Sequence, residues 1–161
     1  LTADTGYAYQ VFRELYFSQT GNIKRYSLSN LVVLRPEESE TWYLDALKCG
    51  DWMTANLAMD SLIHSDNLKS DNLILVYKQP RVSDEVQWRI VYILSHINNS
   101  DNVPFLVKVL QNENNWLARN EAAIGLTHFN NKLVLHELKS LKSDRSPFVK
   151  NNIKWIKKHL N

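Results

Sequence analysis

The chain of 161 residues contains one cysteine, Cys49, and only four glycines and four prolines. A lone cysteine excludes an internal disulfide and a cysteine-rich zinc site, while leaving the redox compartment open. So little glycine and proline argues against a turn-rich all-β fold and against a disordered chain. No apolar run approaches the roughly 18–20 residues of a membrane helix. With glycine only at positions 6, 21, 50 and 125, no phosphate-cradling loop can form. A His-Glu-x-x-His motif and a Ser-centred nucleophile elbow are also missing. No catalytic residue, metal or cofactor is therefore expected, and Cys49 reads as a small helical packing residue. The first residue is Leu1 rather than Met, so the expectation is that something was removed, either a targeting segment or the rest of a longer chain. The expectation is a soluble protein, cytoplasmic or exported, of open oligomeric state.

What the chain does contain is an ordinary globular composition, 44% hydrophobic and 22% charged. One domain of this length buries roughly 68–70% of its unfolded surface. The net charge of +2 is unevenly spread. From Lys132 onward eight Lys/Arg face only Glu137 and Asp144. A basic end of this kind suits an acidic partner, or a solvated end to the fold.

The clearest pattern lies in Trp116 to Phe129, where Ala118, Ala122, Leu126 and Phe129 share one helical stripe. Ala123 and Gly125 keep that helix slim. Similar stripes recur, led by Ile23, Thr54, Val86, Ala118 and Val149, at spacings of 31, 32, 32 and 31 residues. Val86 leads Ile90, Leu94 and Ile97; Val149 leads Ile153, Ile156 and Leu160; Thr54 leads Ala58 and Leu62; Ile23 leads Ser27, Leu31 and Leu34. An amphipathic stretch precedes each: Tyr9, Phe12 and Tyr16; Trp42, Leu44 and Leu47; Leu68, Leu73, Leu75 and Val76; Val103 to Leu110; and Leu133, Leu135, Leu138 and Leu141. Turn-forming clusters separate the helices at Ser18 to Asn22, Gly50-Asp51, Gln111 to Asn115 and Ser143 to Pro147. Asp51 and Asp84 read as N-caps of second helices. The expectation is an all-α, right-handed α-solenoid of five helix–turn–helix units, at about 5–34, 37–65, 68–98, 102–130 and 132–161, forming one domain over 1–161. One such unit cannot bury its own stripe, and stacking supplies the missing wall.

The stretch VPFLVKVLQNENNWLARNEAAIGL, Val103 to Leu126, resembles a HEAT repeat of the short kind. The other four units follow in hydrophobic pattern and spacing more than in residue identity. Tetratricopeptide repeats fit less well, since their period is 34 residues and their internal signature is missing. Short HEAT-like repeats of this type resemble those of phycobilisome chromophore lyases, and also those of deoxyhypusine hydroxylases, in which paired His-Glu ligands hold a di-iron centre. The corresponding pairs here are Arg25-Tyr26, Asn56-Leu57, Trp88-Arg89, Asn120-Glu121 and Asn151-Asn152, so the hydroxylase is excluded. The sole His-Glu pair, His136-Glu137, falls on a first helix. HEAT-like DNA glycosylases are similar only in fold, which says little about function.

Three surface features stand out beside the stripes. Positions two and six after each leader point away from the core, and they hold Trp88, Tyr92, Ile124 and Trp155 among Asn56, Asp60, Asn120 and Asn151. Large rings on this second-helix, concave side, with Arg89 nearby, have the composition of a protein-binding hot spot; packing between repeats is the bland reading. Lys150, Lys154, Lys157 and Lys158 surround Trp155, which would suit a polyanion such as nucleic acid, or a solvated capping helix. His64, His96, His128 and His159 stand ten residues after four consecutive leaders. They read as caps on the last carbonyls of their helices, since rungs roughly a helix diameter apart cannot share one metal. The leading expectation is a non-catalytic scaffold binding another protein through Trp88, Arg89, Tyr92, Ile124 and Trp155. Nucleic-acid binding and a lyase-like accessory role are the alternatives.

Overall fold

A computed structural model describes residues 3–65, 68–112, 114–142 and 146–160. Among them are ten α-helices and no strand. None of the helices is long and apolar enough to cross a membrane. The chain falls into two compact units, Leu1–Leu68 and Lys69–Asn161.

The first unit holds α1 (Ala3–Ser18), α2 (Gly21–Leu34), α3 (Ser39–Ala46) and α4 (Trp52–Ile63), with a 3-10 turn at Pro36–Glu38. Helix α1 packs on α2, α3 on α4, and α2 also packs against α4. The stripes explain these pairings. Tyr9 and Tyr16 of α1 bury their rings edge-on against Trp42, at 6.3 and 5.3 Å between centroids. Burial and the nearby Asp45 carboxylate, which accepts the phenol hydrogen at 3.0 Å, push the Tyr16 phenol far above its ordinary pKa. Gly21 opens α2 at φ 57°, a left-handed conformation that glycine adopts at no steric cost. Asp51 caps α4 as expected, accepting from the Thr54 backbone N–H at 3.2 Å. One stripe differs from expectation. Ser27, Leu28 and Leu31 are buried, whereas the expected leader Ile23 is exposed and lines a shallow cleft with Tyr26 and Leu57. Ile23 sits in the first turn of α2, just past the connection from α1, outside the packed part of the stripe.

The second unit holds α5 (Ser70–Tyr77), α6 (Asp84–His96), α7 (Val103–Val109), α8 (Trp116–Leu126), α9 (Asn131–Glu137) and α10 (Pro147–His159). A 3-10 turn, Ser100–Asn102, leads into α7, and another, Leu138–Leu141, follows α9. Helix α5 packs on α6 and α7 on α8; α8 also packs against both α6 and α10, and α7 against α9. The leaders Val86, Ala118 and Val149 are buried, and so is Thr54 in the first unit. Each fully buried Leu or Ile on these stripes, such as Ile90, Leu94 and Leu126, contributes about 1.5–3 kcal/mol relative to exposure.

The closest approach is at Gly125. A Cβ there would stand 2.1 Å from Ser95 Cβ, so α8 lies against α6 only because residue 125 has no side chain. Buried polar side chains fasten the same neighbourhood. Asn115 caps α8 by accepting from Ala118 N–H at 3.0 Å, and its amide donates to the Asp84 carbonyl at 2.8 Å and to Gln87 Oε1 at 2.9 Å. Arg119 donates to the Asn112 carbonyl at 3.0 Å while its guanidinium lies 4.8 Å from the centre of the Phe148 ring on α10.

Three local expectations are corrected. Ser83 rather than Asp84 caps α6, accepting from Val86 N–H at 3.3 Å, and Asp84 is the first helical residue. The α9 stripe runs through Val134, Leu138 and Leu141, leaving Leu135 exposed, because 134, 138 and 141 follow the i, i+4, i+7 spacing of one helix face. Helix α8 stops at Leu126, and Thr127, His128 and Phe129 close it with i+3 backbone bonds. Of the turn expected at Ser143 to Pro147, positions 143–145 lie outside the described residues, as does position 113 of the turn Gln111 to Asn115.

Candidate interaction face

Helices α6, α8 and α10 carry the positions expected to face away from the core. Trp88 and Tyr92 on α6 are half-buried, whereas Ile124 on α8 and Trp155 on α10 are 45% and 39% exposed. Ile124 and Trp155 meet across a cleft of about 390 Å³ that is also lined by Asn120, Ala123, Asn151 and Asn152. Position six after one leader thus joins position six after the next, with the carboxamides of both positions two beside them. The floor is apolar, the rim can donate and accept hydrogen bonds, and no charged side chain lines the cleft.

The rings of α6 are held in place by polar contacts. Trp88 Nε1 donates to Glu121 Oε2 at 3.3 Å, joining α6 to α8. Trp88 and Tyr92 lie 5.8 Å apart at a tilt of 43°, and Tyr92 stacks on His96 with centroids 4.1 Å apart. From sequence Glu121 stands out only in the Asn120-Glu121 pair, and not as a partner of the surface rings. Its place two residues before Ala123 marks it only as a second-helix polar group, and its pairing with Trp88 needs the register between helices.

Arg89 is placed differently from the expectation. It is 1% exposed and its guanidinium pairs with Glu85 one turn earlier on α6. Three residues after its leader it is rotated roughly 60° from the stripe, close enough to turn inward along the α6 core. Arg89 is therefore an interior residue and cannot present its cation beside the rings.

The histidines behave mostly as caps. His64, His96 and His159 each place Nδ1 at 2.7–2.8 Å from the carbonyl four residues earlier, those of Asp60, Tyr92 and Trp155. His128 instead leans onto α6, its Nδ1 3.4 Å from the Ser95 carbonyl. Its ring lies 5.3 Å from that of His96, edge to face. This corrects the expectation that neighbouring rungs stay a helix diameter apart, and the close α6–α8 approach at Gly125 is the cause. Among the described residues no group of three or more His, Cys, Asp or Glu side chains converges on one point.

The lysines of α10 divide between two sides. Lys150 and Lys157, with Ile153, line a cleft of about 220 Å³ together with Leu135, Leu138, Lys139, Leu141 and Lys142. Trp155 opens into the other cleft, beside Asn151 and Asn152, and stacks on His159 at 4.1 Å. The expected grouping of Trp155 with all four lysines is thus corrected: helical rotation separates the ring from Lys150 and Lys157 and leaves Lys154 and Lys158 exposed between. A further cleft of about 390 Å³ lies at Tyr77, Phe105 and Val109, where Tyr77 and Phe105 meet edge-on and Asn112 donates to the Tyr77 hydroxyl at 2.9 Å. Sequence reasoning singled out none of these as a site.

No protein-family model matches this chain, and no match is found among curated proteins.

Proposed function

We propose that the chain is a short HEAT-like α-solenoid whose second-helix face binds another protein without catalysing a reaction. The repeat reading is supported by leaders at near-constant spacing and by successive second helices packing on one another within each unit. The single observation that carries the binding reading is the α8–α10 cleft. There Ile124 and Trp155, two large apolar side chains that their own repeats leave exposed, converge within a rim of Asn120, Asn151 and Asn152. An aromatic anchor in an apolar pocket with neutral hydrogen-bonding groups around it is the composition of an interface hot spot. Trp88 and Tyr92 extend this face along α6, held by Glu121 and His96.

The test is a photo-cross-linking residue at position 120, with cross-linked proteins identified by mass spectrometry and the recovered partner then titrated against purified variants. Trp155→Ala should weaken binding by about 30-fold or more, the loss of roughly 2 kcal/mol typical of a hot spot. Ile124→Ser should weaken it less, and helicity by circular dichroism should be unchanged for both. Full affinity in folded Trp155→Ala protein would defeat the reading.

A further inference from the structure

On the opposite side of α10 from Trp155, four lysines and four aliphatic side chains share one cleft. Lys139 and Lys142 come from the segment after α9, and Lys150 and Lys157 from α10; Leu135, Leu138, Leu141 and Ile153 complete the lining. All four lysines are exposed. Among the described residues none of them is in an ion pair, and no carboxylate lines the cleft. Lys150 and Lys157 are seven residues apart, so two helical turns align them on one edge of α10.

This is more than a solvated helix face. A charged run that serves solubility alone spreads around its helix and has no reason to border aliphatic surface drawn from a second element. Here the lysine stems cover the sides of an apolar trough while the ammonium groups stay at its rim. The trough is disfavoured from closing on itself, because four ammonium groups brought together in a drying cleft would repel one another and lose their hydration. An occupant that stabilises it must therefore bring apolar groups to the floor and negative charge to the rim.

We infer that this cleft docks an acidic–hydrophobic segment of a partner protein, in which Leu- or Phe-sized side chains alternate with Asp or Glu. A volume of about 220 Å³ holds one or two such side chains rather than a whole helix face. The carboxylates then meet the lysines at the exposed rim, where charge pairing governs association rate and orientation more than affinity. An apolar floor distinguishes this occupant from a nucleic-acid backbone, which offers the lysines phosphates but nothing for Leu138, Leu141 and Ile153. The site is independent of the Trp155 cleft, and either can fail without the other.

The experiment uses the full chain labelled with nitrogen-15 and three capped probe peptides, acetyl-Glu-Leu-Glu-Leu-Glu-Leu-Glu-amide and its counterparts with Ser for Leu or Lys for Glu. The Glu/Leu peptide should move the amide signals of residues 135–142 and 150–157 and leave those of Asn120 and Ile124 in place. The Glu/Ser peptide should bind at least tenfold more weakly, and the Lys/Leu peptide should leave the spectrum unchanged. A Lys139→Gln/Lys157→Gln variant, substituted at solvent-facing positions, should bind the Glu/Leu peptide about three- to tenfold more weakly and with less dependence on salt. No shifts with the Glu/Leu peptide, shifts centred elsewhere, or equal binding of the Glu/Ser peptide would each overturn the inference. So would a single-stranded oligonucleotide that perturbs the same residues more tightly than the Glu/Leu peptide does.

Discussion

An alanine at position 125 would set two Cβ atoms 2.1 Å apart, and the atom it meets, Ser95 Cβ, is fixed directly to the α6 backbone. Neither side can swing away as a long side chain could, so the helices themselves must separate. Gly125→Ala gains up to about 1 kcal/mol of helix propensity, but overpacking of this kind costs about 1–3 kcal/mol and occasionally more. Because the overlap here is severe, the variant should unfold at lower urea concentration than wild type, and Ser95→Gly in the same chain should recover part of the loss. A Gly125→Ala protein as stable as wild type would show that α6 and α8 do not need this approach. Sequence alone marked residue 125 as small, yet it could not name Ser95 as the atom opposite, since that depends on inter-helix register. Arg89 shows the reverse failure. Residue type suggests a cation beside the surface rings, but its place three residues after Val86 turns the side chain along the α6 core, where it is buried and still reaches Glu85 one turn earlier.

Helices and their ends were largely legible because their signals are local. Gly50-Asp51 before an apolar run gave the cap of α4, and Pro104 and Pro147 stand in the first turns of α7 and α10. Asp84 was misplaced by one position, since Ser83 offers an equally good cap and only the backbone turn decides between them. The Asp51 cap also predicts a pH dependence. Hydrogen bonding from Thr54 holds the Asp51 carboxyl below its ordinary value of 3.8, and bonds from Tyr9 and Arg35 hold Glu38 below 4.5. Both groups have folded values depressed below their unfolded ones, so the unfolded chain binds more protons in that window. Their contribution is present above the unfolded values and is lost as pH falls through the folded ones. Thermal stability should accordingly be flat between about pH 5 and about pH 9, below the ordinary tyrosine range, and decline below about pH 4. Asp51→Asn, which can still cap at neutral pH, should keep the melting temperature at pH 7 and flatten part of the acid decline, whereas Asp51→Ala should lose about 1 kcal/mol at pH 7. An acid decline of identical slope in Asp51→Asn would remove Asp51 from this account.

Across the whole molecule the i, i+4 spacing within each stripe makes the all-helical architecture legible, because only a helix gathers such positions on one face. The clefts were less legible: Ile124 and Trp155 were marked separately, but their meeting, and the division of lysines between two sides of α10, arise only once the helices pack. Charge segregation, by contrast, is already a property of the chain. The first unit has five basic and nine acidic residues, and the second has fourteen basic and eight acidic, so a net of +2 conceals about −4 beside +6. A surface responds to the patch it meets rather than to the net charge, and the field of a patch falls off over roughly 8–10 Å at ordinary ionic strength. On a cation exchanger at pH 7 the protein should therefore elute at higher salt than its net charge suggests. Lys139→Glu/Lys157→Glu and Arg13→Glu/Lys48→Glu change the net charge equally, yet the first pair should lower the eluting salt much more, because it dismantles the clustered lysines of the second unit. Equal shifts for the two variants would mean that net charge, and not its placement at α9 and α10, governs how this molecule meets a charged partner.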